Sequence, residues 1–123
     1  MRVAVLTVLS STILGCLMAT TAPAQGKQDF TLVNRTGYTV NEIYVAPTSS
    51  DDWQEDVLGQ DQLENGQRVD ISFPRRARSC VWDIKVVYED EDEAQWRRVN
   101  LCEVSTITIR YNRKSGETSA TYE

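Results

Sequence analysis

The sequence contains no histidine, and among its 123 residues it has three cysteines, three prolines and two phenylalanines. Without histidine the chain cannot build a Ser-His-Asp or Cys-His catalytic set, and most zinc sites are excluded as well. It also has no glycine-rich phosphate-binding loop. If the cysteines of the mature chain are bonded to each other, no thiol nucleophile remains, and paired carboxylates of the kind that glycosidases use are the catalytic groups left. We therefore expect a binding protein, with a small carboxylate-based hydrolase as the least favoured alternative.

The beginning of the chain is predicted to be an export signal. Arg2 precedes an apolar run over residues 3–18, and Ala22-Pro23-Ala24 supplies the small residues that a signal peptidase reads. Cleavage after Ala24 removes residues 1–24 and leaves residues 25–123, a single domain of 99 residues. The alternative is a lipoprotein anchored at Cys16, because Ile13-Leu14-Gly15-Cys16 loosely fits a lipid-modified cysteine site. The cleaved signal predicts a periplasmic or secreted protein, and the alternative predicts a lipoprotein anchored at Cys16.

Positive charge is also scarce. The whole chain carries a net charge of −5, and loss of Arg2 with the signal changes this value to −6. Phosphate backbones are bound by basic surfaces, so nucleic acid is excluded as a general partner. The signal also takes Cys16, which leaves Cys80 and Cys102 as an even pair in an oxidising compartment.

These two cysteines close a predicted β-hairpin. Residues 80–88 and 94–102 are strand-like and flank an acidic tip at residues 89–93. A fold centred on Glu91 brings Cys80 opposite Cys102, at a separation that a disulfide can bridge. In this register Trp82, Ile84, Val86 and Trp96 share the cysteine face, and the opposite face carries Val81, Val87, Val99 and Leu101. We predict one disulfide, contributing about 3 kcal/mol by restricting the unfolded chain.

Runs of β-forming residues separated by turn signals recur along the chain. After a loose leader at residues 25–28, they cover residues 30–34, 38–46, 68–73, 80–88, 94–102, 104–111 and 117–122. Between the second and third runs, Ser50 or Asp51 can cap a helix of about two turns that ends at Gly59. Trp53, Val57 and Leu58 share a face of this helix. The predicted fold is all-β: a small antiparallel β-sandwich of about seven strands with one short helix, stapled by one disulfide.

One stretch resembles the signature of an uncharacterised family of small exported bacterial β-rich domains. The matching residues are Asn34-Arg35-Thr36-Gly37-Tyr38, Ile43-Tyr44-Val45-Ala46-Pro47, Ser50, Trp53, Asp56 and Leu58-Gly59. The resemblance covers residues 34–59 and implies a secreted β-rich domain, with no catalytic residues to transfer. Physically, the signature is typical of a hairpin followed by a helical turn that plugs one end of a sheet with Trp53 and Leu58.

Two acidic clusters are candidate calcium ligands. One comprises Asp51, Asp52, Glu55 and Asp56, and the other is residues 89–93 with Asp90 and Asp92. Calcium takes 6–8 oxygen ligands, which the two clusters can supply only if they meet in space. Neither cluster fits an EF-hand loop. The alternative is a solvated hairpin tip and a set of acidic residues favoured at a helix start.

A basic loop and a few aromatic residues are the candidate partner-binding groups. Arg75, Arg76 and Arg78 form the basic patch, which Arg97 and Arg98 are expected to approach. These arginines suit an anionic partner, or else pair with carboxylates of the chain itself. Trp82 is predicted to lie in the core, whereas Trp96, Tyr38 and Tyr44 are candidates for exposed rings that bind a partner or a sugar. Asn34-Arg35-Thr36 is also a glycosylation sequon.

The leading hypothesis is a non-catalytic interaction protein whose partner is an envelope or extracellular protein. No cofactor is expected apart from the calcium alternative, and no transmembrane segment is expected after signal removal. The second hypothesis is a calcium- or carbohydrate-binding β module.

Overall fold

Seven strands account for the regular structure of the residues that the structure describes. The computed structural model describes residues 27–50 and 52–123. In chain order the strands are β1 (Phe30–Asn34), β2 (Val40–Pro47), β3 (Arg68–Ile71), β4 (Val81–Tyr88), β5 (Glu93–Asn100), β6 (Thr106–Asn112) and β7 (Glu117–Tyr122). The prediction of an all-β chain with seven strands is confirmed. The predicted signal at residues 1–24 and the alternative anchor at Cys16 lie outside the described residues.

The strands form two sheets that share one hydrophobic core. One sheet has the order β3-β1-β6-β7 and the other the order β2-β4-β5. Apolar side chains of both sheets, including Leu32 and Ile107 from the first and Ile43 and Ile84 from the second, belong to a single buried cluster. The arrangement is therefore sandwich-like. It is not wholly antiparallel as predicted, because β1 and β6 pair in parallel.

The predicted disulfide is confirmed. Cys80 and Cys102 are bonded, with their Cα atoms 5.2 Å apart. The register of the hairpin differs from the prediction, since Val87 pairs with Glu93 and the turn is centred on Asp90 rather than on Glu91. Glu91 adopts a left-handed conformation with φ of 74° in this turn.

A β-bulge in β5 shifts the register again before the cysteines are reached. Ile84 pairs with Trp96 and Trp82 pairs with Val99, so Asp83 alone faces two residues, 97 and 98. The extra residue turns both Trp96 and Val99 towards the core, where their exposed fractions are 7% and 6%. The prediction that Val99 and Leu101 lie on the face opposite Trp96 is therefore wrong, because Leu101 is also buried.

No helix forms in the described residues between β2 and β3, so the predicted helix is wrong. Instead the segment runs along the outer edge of β2, where Val57 N donates to Ile43 O at 2.8 Å and Gln54 N to Val45 O at 3.4 Å. An edge strand exposes unpaired backbone groups, and this segment satisfies some of them. Leu58 is buried as expected, but Trp53 is not part of the core cluster.

Candidate functional site

An open cleft lies along one side of the two sheets. Its volume is about 540 Å³, within the range of ligand sites in proteins. The residues that line it come from β2, β3, β4, the segment along β2 and the loop after β3: Val45, Gln54, Glu55, Val57, Ile71, Ser72, Phe73, Pro74, Arg76, Ala77 and Trp82. We call this feature the edge cleft. Its floor is apolar, and its charged lining residues are Glu55 and Arg76.

Aromatic packing fixes the floor of the edge cleft. The rings of Phe73 and Trp82 meet edge to face with centroids 4.7 Å apart, and Phe30 lies 6.2 Å from Phe73. The indole N–H of Trp82 donates to Ser79 O at 2.8 Å. Such pairs are worth about 0.5–1.5 kcal/mol beyond the area they bury, so the floor is a well-packed apolar surface. The prediction that Trp82 belongs to the core is confirmed, since it is 6% exposed.

The basic loop, residues 74–79, forms one wall of the edge cleft and is held by the start of the described chain. Gln28 Nε2 donates to Ala77 O at 2.8 Å and to Ser79 O at 2.9 Å. Gln28 is 1% exposed, so the expectation that residues 25–28 form a loose leader is wrong for this residue. Asp29 Oδ1 accepts from Phe73 N at 2.9 Å. No sequence pattern identifies these two side chains, because their partners are backbone groups more than 40 residues away.

The arginines of the basic loop are exposed. Arg75, Arg76 and Arg78 form no salt bridge with any carboxylate of the described residues. Their hypothesised pairing with the chain's own carboxylates is therefore not seen here. Arg76 lines the edge cleft itself, so positive charge stands beside an apolar floor.

The other candidate partner-binding residues lie elsewhere. Trp96 is buried between the sheets, so its ring is not a surface for a partner. Its indole N–H has no hydrogen-bond partner within the described residues. Arg97 pairs with Asp83 at 3.1 Å, and together with Arg98 it lines a different cleft beside Tyr122. The structure therefore does not assign these arginines to the edge cleft.

The acidic clusters are not brought together as a metal site by the described residues. No group of three or more His, Cys, Asp or Glu side chains that could hold a metal ion occurs within residues 27–50 and 52–123. Asp51 lies outside the described residues. Asp56 Oδ1 accepts from Ile43 N and Leu58 N at 2.9 and 3.0 Å, which is a backbone-anchoring role. Asp90 forms an ion pair with Arg113 at 2.7 Å.

Aromatic rings on the outer face of the β2-β4-β5 sheet are covered by a cation. Lys85 Nζ lies 4.9 Å from the ring centroid of Tyr44 and 5.1 Å from that of Trp53. Tyr44 also donates to Glu42 Oε1 at 2.6 Å, and this hydrogen bond, more than desolvation or the nearby negative charges, raises the pKa of Tyr44 to about 12. Because the ammonium occupies ring faces that a sugar would need for stacking, this arrangement does not favour carbohydrate binding.

Three tyrosines close one end of the space between the sheets. Tyr88 and Tyr111 are stacked with centroids 5.2 Å apart, and Tyr38 meets both edge to face. The guanidinium of Arg113 lies 3.8 Å above the ring of Tyr38 while it pairs with Asp90. This contact ties the acidic hairpin tip to the β6–β7 turn, so it is a structural closure.

The sequon residue Asn34 is a structural residue in the folded chain. It is fully buried, and its Nδ2 group donates to Tyr38 O and Leu63 O at 2.8 and 2.9 Å. Its Oδ1 atom accepts from the amide and the hydroxyl of Thr36. Gly37 completes the turn at φ of 87°. With both amide protons engaged inside the protein, Asn34 cannot carry a glycan in this conformation.

Comparison with known proteins supports the fold and does not identify a function. No protein-family profile and no curated protein matches the sequence. The fold is similar to the NMR structure of a protein from Eubacterium rectale, with a TM-score of 0.51, 13% sequence identity, and coverage of 82% of this chain and 94% of that chain. At this identity the likeness concerns the fold alone. Within the described residues no helix has the length and apolar character needed to cross a membrane.

Proposed function

We propose that the chain is an exported, non-catalytic binding protein of the periplasm or the extracellular space, and that it holds its partner in the edge cleft. The observation that carries the proposal is the combination of an apolar floor with the exposed Arg76 at its wall. An apolar floor excludes water from a bound apolar side chain. A cation beside it binds and orients an acidic group of the same ligand. The Arg2 segment with Ala22-Pro23-Ala24, together with the Cys80–Cys102 disulfide, supports export.

The chemistry of the lining supports binding over catalysis. Glu55 is the one carboxylic acid among the residues that line the edge cleft, whereas glycoside hydrolysis uses two facing carboxyl groups. The chain has no histidine, and the bonded cysteines offer no thiolate. The edge cleft therefore does not favour a small carboxylate-based hydrolase.

In-cell photocrosslinking tests the proposal. A photoreactive amino acid replaces Ala77, which lines the edge cleft, or Ser119, an exposed residue of β7. We expect a crosslinked adduct from position 77 and none of the same mass from position 119. Equal adducts at both positions, or none at position 77, contradict a partner in the cleft.

Export is tested on the same purified protein. N-terminal sequencing is expected to begin at Gln25, and intact mass is expected to show one disulfide. A lipid-modified Cys16 at the N-terminus would establish the anchored alternative instead.

A further inference from the structure

The outer edge of β3 is an unpaired strand edge beside the edge cleft. β3 is the terminal strand of its sheet, and its one described partner is β1. Asn34 N donates to Gln67 O at 2.9 Å, so in the observed antiparallel register residues 67, 69 and 71 bond towards β1. Residues 68, 70 and 72 then direct their N–H and C=O groups away from β1. None of the described backbone hydrogen bonds outside the strand ladders involves these three residues.

The edge cleft adjoins this edge at Ile71 and Ser72, so the end of the free edge faces open space. The edge cleft is lined on one side by residues 71–74, which continue β3, and on the other by Gln54, Glu55 and Val57 from the segment along β2. An extended chain placed against β3 would direct alternate side chains inwards, onto Phe73 and Trp82. These two residues are only 9% and 6% exposed, so together they offer a ligand a small apolar surface. An apolar surface of this size suits a single side chain of a strand better than a long acyl chain.

Charge restricts what the added strand can carry. β3 continues directly into the basic loop, where Arg75, Arg76 and Arg78 are exposed and form no described salt bridge. A strand that extends along β3 brings one of its ends to this loop. Acidic side chains or a terminal carboxylate at that end complement the arginines, whereas basic side chains would be repelled.

From this geometry we propose that the occupant of the edge cleft is an extended peptide segment of a partner protein, which adds as a strand to the free edge of β3. Its backbone bonds to residues 68, 70 and 72, an apolar side chain lies on Phe73 and Trp82, and its acidic end meets the basic loop. Strand addition of this kind takes affinity from backbone hydrogen bonds and specificity from pockets for alternate side chains. The inference rests on the proposed function, since it names the ligand of the same cleft.

Selection from a display library of random dodecapeptides tests the inference, followed by fluorescence polarisation with the enriched peptides. We expect sequences in which apolar residues alternate with others and acidic residues are enriched. Ser72→Pro removes an outward N–H of β3 and is expected to weaken binding at least about tenfold. Ala120→Pro is the matched control, because the same ladder argument applied to β7 directs Ala120 N–H away from β6. It should leave the affinity unchanged.

Two further experiments test strand addition without the proline variant. N-methylation of alternate peptide bonds is expected to abolish binding to the unaltered protein, which covers the case in which Ser72→Pro does not fold. The double variant Arg75→Ala/Arg76→Ala should weaken binding and reduce its salt dependence. Arg35→Ala/Lys114→Ala, at the opposite end of the molecule, should do neither.

The outcomes separate this inference from the proposed function. Strand addition is overturned if N-methylated peptides bind as tightly as the unmodified ones. It is also overturned if the peptides bind Ser72→Pro as tightly as they bind the unaltered protein. If binding is then still lost when Ala77→Trp fills the edge cleft, the cleft remains the binding site. If the library yields no enriched peptide and a fatty acid binds the protein instead, the occupant is not a peptide. The proposal that the edge cleft is the binding site then still holds. Binding insensitive to Ala77→Trp overturns both.

Discussion

Asp83 is the residue on which the bulge in β5 depends. Its buried carboxylate, 3% exposed, accepts from Thr48 Oγ1 at 2.8 Å and from Arg98 N at 2.9 Å, and it pairs with Arg97 at 3.1 Å. Arg98 adopts φ of 57°, a conformation that costs energy for any residue other than glycine. The carboxylate therefore stabilises a backbone geometry that the strand would otherwise avoid.

We expect Asp83→Ala to lower the free energy of unfolding by about 2–4 kcal/mol, because it leaves the Arg98 N–H and the Thr48 hydroxyl without their acceptor. Urea denaturation at pH 7 under oxidising conditions measures the change. Asp70→Ala is the control, since Asp70 is exposed and accepts one side-chain hydrogen bond, from Thr31. A loss for Asp83→Ala no larger than that for Asp70→Ala would show that the bulge does not depend on this carboxylate.

Tyr88 is a second residue with a testable effect on stability, because its buried hydroxyl makes the stability depend on pH. It is fully buried, and its hydroxyl has no hydrogen-bond partner within the described residues. Desolvation, with a smaller contribution from Tyr111, raises its pKa to about 12, and the opposing effect of the Arg113 charge is weaker. In the unfolded chain a tyrosine loses its proton near pH 10. Above pH 10 the unfolded state therefore binds fewer protons than the folded state, and stability falls as the pH rises.

For the unaltered protein, we expect the contribution of Tyr88 to the free energy of unfolding to fall by about 1 kcal/mol between pH 9 and pH 11. Tyr88→Phe should remove that part of the pH dependence. At pH 7 this variant should be as stable as the unaltered protein or slightly more stable, because it deletes a buried hydroxyl that lacks a partner. Urea denaturation at the three pH values measures both effects. A strong loss of stability at pH 7 would indicate that the hydroxyl forms a hydrogen bond in the folded protein.

At the scale of elements, the segment between β2 and β3 shows where sequence patterns are insufficient. A helix was predicted from a capping residue, acidic residues and apolar residues at helical spacing. Helices of two turns are barely stable alone, and here the backbone N–H groups of Gln54 and Val57 bond to carbonyls of β2 instead. The unpaired backbone groups of an edge strand form hydrogen bonds with this segment, and this tertiary effect overrides the local preference for a helix.

Asp56 anchors this segment, and its removal should release it. Its Oδ1 atom accepts from the amides of Ile43 and Leu58. We expect Asp56→Ala to destabilise the protein by about 1–2 kcal/mol, and Asp56→Asn, which retains an acceptor oxygen, to cost less. Denaturation gives the free energies, and limited proteolysis should show faster cleavage within residues 52–62 of the alanine variant. If millimolar calcium stabilised the unaltered protein but not Asp56→Asn, Asp56 would be a metal ligand and not only a backbone anchor.

The strands themselves were predictable because β-forming runs and turn residues are local properties. The Cys80–Cys102 pair was predictable as well, although the register assumed for it was not observed. The bulge opposite Asp83 and the turn centred on Asp90 shift the pairing of β4 and β5 by one or two residues from the predicted register. No pattern in the sequence predicts either feature. The edge cleft was beyond sequence analysis because it depends on which strands are neighbours. The basic loop was identified from composition, but its position beside Phe73 and Trp82 was not.

The disulfide acts on the molecule as a whole, because it restricts the unfolded chain between residues separated by 22 positions. The chain-entropy estimate for a loop of this length is about 3 kcal/mol, a large share of the stability of a small domain. We expect the double variant Cys80→Ala/Cys102→Ala to lose about this amount in urea denaturation, and reduction of the unaltered protein to have the same effect. The reducing agent should leave the double variant unchanged, which controls for effects on other groups. Equal stability of the oxidised protein and the double variant would mean that the two sheets hold together without the bond, and export to an oxidising compartment would then lose one of its supports.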